Sequence, residues 1–108
     1  MTPGAGWVLL VLSGIADVAW AYSVKRSNGF AEPVWVAVSF VLLALFIGLL
    51  MKALQVLPLG TAYAVWTGIG AVGSLALGIL MLGESSDPLR LTFAAITILG
   101  IVGLKLSA

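Results

Sequence analysis

Polar residues fall in three short clusters along this chain, and the stretches between them are apolar for about twenty residues at a time, the length a helix needs to cross hydrocarbon. Gly4 to Val24 is interrupted only by Ser13, Asp17 and Ser23 before Lys25, Arg26, Ser27, Asn28 and Gly29 break it with charge and turn chemistry. Pro33, suited to a first helical turn, opens a second run that reaches about Met51, and Lys52, Gln55 and Pro58 close it. Thr61 to Leu82 forms a third, ended by Gly83, Glu84, Ser85, Ser86 and Asp87, and Pro88 starts a fourth that runs to Leu106. The pattern predicts one all-α membrane domain spanning 1–108, with four transmembrane helices over about 4–24, 33–54, 59–82 and 88–106. Period-two alternation is absent, which argues against a membrane β-barrel.

Composition agrees. Of 108 residues, 62% are hydrophobic and 8% charged, against roughly half and a quarter in an average soluble domain. Nine formal charges are too few to coat a water-facing surface. A net charge of +1 without a basic run offers nothing to a phosphate backbone, so a nucleic-acid partner is not expected. The chain has no His and no Cys, so imidazole and thiolate metal sites, haem, iron–sulfur clusters and disulfides are excluded, and no metal or cofactor is expected. Ala19-Trp20-Ala21 fits a signal-peptide cleavage pattern, but no Lys or Arg precedes the apolar run and Asp17 interrupts it. No loop is long enough for a catalytic domain, which points away from an enzyme and toward transport, conduction or membrane assembly.

Eight of the nine charges lie at the rims of the spans: Lys25, Arg26, Glu32, Lys52, Glu84, Asp87, Arg90 and Lys105. The ninth, Asp17, lies about 20 Å along the first span. A charged Asp near a span centre costs about 2.5 to 3.5 kcal/mol on insertion scales, and no Lys or Arg of the other spans is deep enough to pair with it. Hydrocarbon penalises the ionised carboxyl, so Asp17 is expected to exchange protons reversibly. An acid that holds a proton or a cation, but not both, is the minimum machinery of proton-coupled antiport. The plainer reading is a protonated Asp that bonds across helices.

Helical spacing shows what shares its face. Ser13 is one turn before Asp17 and Trp20 one turn after, with Gly14 on the same side. The third span carries Tyr63 and Trp66 at i and i+3, and aromatic faces attract a cation once water is excluded. Tyr63 can also donate to a carboxylate. Together these residues predict an organic-cation site, with an interfacial aromatic belt as the alternative for Trp20 and Trp66 and the favoured reading for Trp7 and Trp35. Gly68, Gly70 and Gly73 allow close packing or a hinge for alternating access. Gly100 and Gly103 offer a small-residue surface in the fourth span, read as a dimer contact.

Orientation is nearly undecided. Lys52 and Lys105 lie on one face of the membrane and Lys25, Arg26 and Arg90 on the other, so the positive-inside rule exerts little force. The chain is expected to insert both ways and to pair with an inverted copy of itself, the alternative being one orientation set by Lys25 and Arg26.

These residues resemble the small multidrug resistance transporters, and within them the guanidinium-exporter branch. The likeness is carried by Trp20-Ala21, Lys25 and Ser27-Asn28-Gly29-Phe30, by the run from Leu57 through Pro58-Leu59-Gly60-Thr61-Ala62-Tyr63-Ala64-Val65-Trp66 to Gly73, and by Gly83-Glu84-Ser85, Pro88, Arg90-Leu91 and Leu99 to Ser107. It covers the whole chain and is weakest in the second span. The resemblance implies a four-helix protomer of the bacterial inner membrane that works as an antiparallel, dual-topology homodimer held by its fourth helices. It also implies a shared chamber in which two first-helix acids bind protons or a small organic cation alternately. Carried over by position, Asp17 is the central acid, Trp20, Tyr63 and Trp66 line the site, and Gly14 packs beside the acid. Two departures stand out. The family's acid is a Glu, one methylene longer than Asp17, and the branch's second-helix Ser falls on Phe46, which replaces a polar orienting group with an aromatic wall. Phe46 suits bulkier, more apolar cations, so a quaternary-ammonium exporter stands as the alternative substrate reading. Further alternatives are a subunit that works beside a homologous partner and a passive channel.

Overall fold

The computed structural model describes residues 2–107, which form four helices: α1 (Pro3–Arg26), α2 (Pro33–Ala53), α3 (Leu59–Met81) and α4 (Pro88–Ser107). Each is long and apolar enough to cross a membrane. Local chemistry sets their ends. The Thr2 hydroxyl accepts from the Ala5 N–H at 3.2 Å and Pro3 fills the first turn of α1. Lys25 and Arg26 occupy its last turn, where the helix dipole favours cations. Pro33 and Pro88 begin α2 and α4, and Asp87 Oδ1 accepts from the Leu89 N–H at 2.8 Å.

The α1–α2 loop turns on three successive residues with left-handed backbone, Asn28 (φ 51°), Gly29 (φ 71°) and Phe30 (φ 65°). Asn and Gly tolerate that region and Phe does not readily. Ser27, fully buried, holds the turn: its hydroxyl donates to Val24 O at 2.7 Å and accepts from Phe30 N, while its carbonyl accepts from Ala31 N and Glu32 N.

In space the helices run in the order α2, α1, α3, α4: α1 packs on both α2 and α3, and α4 packs on α3. The protomer is a slab of 41 × 34 × 16 Å, little thicker than one helix with its side chains. Its apolar core gathers at one end, where Leu10 of α1, Ala53 of α2, Leu57 of the following loop and Ala62 and Val65 of α3 meet. No residue of α4 is buried among those described. The α1–α3 contact is close because glycines remove side chains from it. A Cβ on Gly14 would meet Ile69 Cγ2 at 2.6 Å, and one on Gly73 would meet Val18 Cγ2 at 2.5 Å. Gly68 serves the other face of α3, receiving Ile101 of α4. α3 runs unbroken from Leu59 to Met81, with Gly73 and Gly68 on the surfaces it packs against α1 and α4.

Candidate functional site

α1 brings Ser13, Asp17 and Trp20 onto the face it turns toward α2 and α3. Ser13 is fully buried, and its hydroxyl donates to the main-chain carbonyl of Phe46 on α2 at 2.7 Å. The same oxygen accepts from Trp66 Nε1 on α3 at 3.1 Å. One serine therefore ties three helices together around a single oxygen. A buried hydroxyl in an apolar span must find partners inside the protein, and here it finds both.

Around this relay the aromatic rings form a continuous row. Phe46 lies between Trp20, with centroids 5.5 Å apart, and Trp66, at 5.8 Å. Tyr63 continues the row against Trp66 at 5.7 Å. Phe46 is buried, Trp20 and Trp66 are half-buried, and Tyr63 is exposed. Each of these pairs is tilted rather than stacked face to face, and the centroid spacings lie within the range of favourable ring contacts. The row lies beside Asp17 because Ser13 and Trp20, which touch it, flank Asp17 on α1.

Asp17 itself is half-buried and rests on α3 at Gly70, where a Cβ would meet its Oδ2 at 2.5 Å. Among the described residues no donor lies within hydrogen-bond distance of its carboxyl, and the one ion pair is Arg90 to Glu84, 3.6 Å apart at the rim. Among the described residues, no hydrogen bond joins Tyr63 to Asp17 within the protomer. Asp17 touches α3 at Gly70, seven residues or about 10 Å along the helix from Tyr63, and the Tyr63 side chain is 55% exposed.

Trp7 and Trp35 lie with the rim cations. Lys105 Nζ is 5.5 Å from the Trp7 ring centre, and the Arg26 guanidinium is 5.4 Å from Trp35 and 5.8 Å from Tyr22. Gly100 and Gly103 face open space: among the described residues, nothing beyond their own stretch of helix lies within 4 Å of a Cβ built on either. The sequence reading missed two features: the Phe46 carbonyl as an acceptor, and Glu84, whose carboxylate folds back onto Gly78. The signal for the first was present, since Ser13 on an apolar face needed an acceptor. A backbone carbonyl on another helix leaves no mark in the sequence.

The sequence profile of a family described as Small Multidrug Resistance protein matches residues 5–99. A protein of Escherichia coli named Guanidinium exporter is 46% identical over 101 residues, covering 94% of this chain and 96% of its own. Proteins of the same name from Salmonella typhimurium and Citrobacter freundii are 44% identical over 102 residues and 45% identical over 101 residues, each covering 94% of this chain and 97% and 96% of their own.

Proposed function

The chain belongs to the small multidrug resistance family, and from that premise we propose that it is a proton-coupled antiporter in which Asp17 binds a proton or a guanidinium-like cation in alternation. It is a transporter rather than an enzyme, a multi-pass protein of the bacterial inner membrane and an exporter of small cations. The observation that carries the finer reading is the surroundings of Asp17: an acid within a membrane span, without an ionic partner among the described residues, beside a row of four aromatic rings. A carboxylate with open lone pairs accepts the paired N–H donors of a guanidinium. Aromatic faces then attract its delocalised charge by about 2 kcal/mol where water is excluded. Trp20, Trp66 and Tyr63 are the cation-lining residues in this reading, with Phe46 behind the indoles.

A second copy completes the site. The uncovered α4 face around Gly100 and Gly103 supports its use as the contact between protomers. The near-even Lys/Arg count favours an antiparallel homodimer in which two Asp17 carboxyls face one chamber. Pairing with a homologous subunit would instead require a fixed orientation, and accessibility of cysteines placed in loops on both faces distinguishes the two. The buried Phe46 ring favours one further substrate reading, a quaternary ammonium or aromatic cation.

The test is proton-coupled exchange in proteoliposomes, read as the change in lumenal pH, with guanidinium, phenylguanidinium and tetrapropylammonium compared side by side. Guanidinium-driven proton movement that Asp17→Asn abolishes is the expected result. Exchange that survives Asp17→Asn overturns the role of the acid, and response to tetrapropylammonium without guanidinium moves the substrate class.

A further inference from the structure

Ser13 is 0% exposed, and its hydroxyl donates to the Phe46 carbonyl and accepts from Trp66 Nε1, so no cation reaches it in this structure although it lies one helical turn from Asp17. We propose that Ser13 is a positioning residue that acts through Trp66: it holds the indole N–H away from Asp17 and so reserves the carboxylate for the N–H donors of the cation. The inference rests on the reading of Asp17 as the cation-binding acid.

The polarity of the relay is fixed. A serine hydroxyl has one hydrogen and two lone pairs. The Phe46 carbonyl can only accept, so the hydrogen goes to it, over 2.7 Å. What remains on Oγ is acceptor capacity, and Trp66 Nε1, which can only donate, takes it at 3.1 Å. The indole donor is thereby satisfied on the α1 side one turn before Asp17.

Without this acceptor, Trp66 keeps a half-buried donor that no longer has a partner, an arrangement that low-dielectric surroundings penalise. The ionisable oxygens one turn further along α1 belong to Asp17, and the described residues direct no other donor at them. An indole N–H turned to Asp17 occupies a lone pair that a guanidinium needs for two-point binding. A free indole donor in the site also opposes the cation electrostatically. A seryl oxygen with no exposure of its own thus controls how many acceptors the site presents, and guanidinium-type cations, which consist of donors, are the ligands that feel the difference.

The experiment is calorimetric binding of guanidinium to purified full-length protein, comparing wild type with Ser13→Ala, Ser13→Thr, Trp66→Phe and the double variant Ser13→Ala/Trp66→Phe. Ser13→Ala is expected to weaken binding about tenfold, the scale of one charge-assisted hydrogen bond, and Ser13→Thr, which keeps the hydroxyl, to bind within about threefold of wild type. In the Trp66→Phe background, which lacks the indole N–H, Ser13→Ala is expected to change binding by less than about threefold. Binding by Ser13→Ala at wild-type strength, or a loss of about tenfold from Ser13→Ala in the Trp66→Phe background as well, overturns the proposal. An independent readout is the indole Nε1–H resonance that Trp66→Phe removes. It should move in Ser13→Ala and stay in Ser13→Thr, and an unmoved resonance overturns the proposal even where a variant transports poorly. Failure of wild type to bind guanidinium at all would instead defeat the reading of the site, and is separable because the resonance test needs no cation.

Discussion

The carboxylate of Asp17 lies directly on the backbone of Gly70, so close that a methyl group there would meet Oδ2 at 2.5 Å. Glycine here makes room for a side chain from the neighbouring helix, and any added methyl would have to displace the carboxyl. Gly70→Ala is expected to push the acid off α3 and to lower guanidinium exchange by at least about tenfold while leaving the helix content intact, since Ala favours the helix by about 1 kcal/mol over Gly. Exchange in proteoliposomes and circular dichroism on the same preparation check the two halves.

Gly14 makes a contrasting case. A methyl there would meet Ile69 Cγ2 at 2.6 Å and Cβ at 3.0 Å, a collision with a branched apolar side chain rather than with the carboxyl itself. Gly14→Ala should destabilise the protein by about 1 to 3 kcal/mol, the usual scale of overpacking, and adding Ile69→Ala should recover part of that loss. Denaturant unfolding in detergent measures both.

Phe46 separates two indoles from within the core of the site. Phe46→Ala is expected to cost about 3 kcal/mol of stability, as removal of a buried ring does, and Phe46→Leu distinctly less because volume is retained. If the aromatic row serves apolar cations, Phe46→Leu, which removes the ring against which Trp20 and Trp66 rest, weakens tetrapropylammonium binding about threefold, on the scale of a lost ring–ring contact, and guanidinium binding less. Equal losses for the two cations in a calorimetric titration contradict that assignment.

Among the described residues, no other element comes within 4 Å of a Cβ built on Gly100 or Gly103. Gly100→Leu and Gly103→Leu should therefore leave the protomer's helix content unchanged and reduce pairing, read as a lower dimer fraction by crosslinking in membranes. An unchanged dimer fraction would move the contact off this face of α4.

Ala31 and Ser86 are exposed and lie in the two loops on the same side of the bilayer. Ala31→Lys together with Ser86→Lys would add two positive charges to a face that already carries Lys25, Arg26 and Arg90, against Lys52 and Lys105 opposite. The positive-inside rule then predicts a single orientation, seen as one-sided labelling of cysteines introduced in the loops. Exchange should fall with it, and should return when the variant is co-expressed with one biased the other way.

The four helices and their ends were legible along the chain because the signals are local: apolar runs of span length, prolines at first turns, and charge with glycine between runs. The face shared by Ser13, Asp17 and Trp20 was equally legible, since helical spacing alone decides it. Which helix lies against which was not. Spatial order depends on pairwise fit, and glycines at 14, 68, 70 and 73 could serve any neighbour; only the packed structure shows that Gly70 receives Asp17 while Gly68, about half a turn away, receives Ile101 of α4. The tertiary structure likewise turned Ser13 from a hydroxyl beside an acid into the acceptor for Trp66, because the Phe46 carbonyl that orients it comes from a different helix and carries no side-chain signature. The sequence determined the membrane as solvent, the number of spans and the presence of one acid within them. The approach of three helices decided what that acid touches, for the physical reason that hydrogen bonds and close packing across helices depend on distances that no single span encodes.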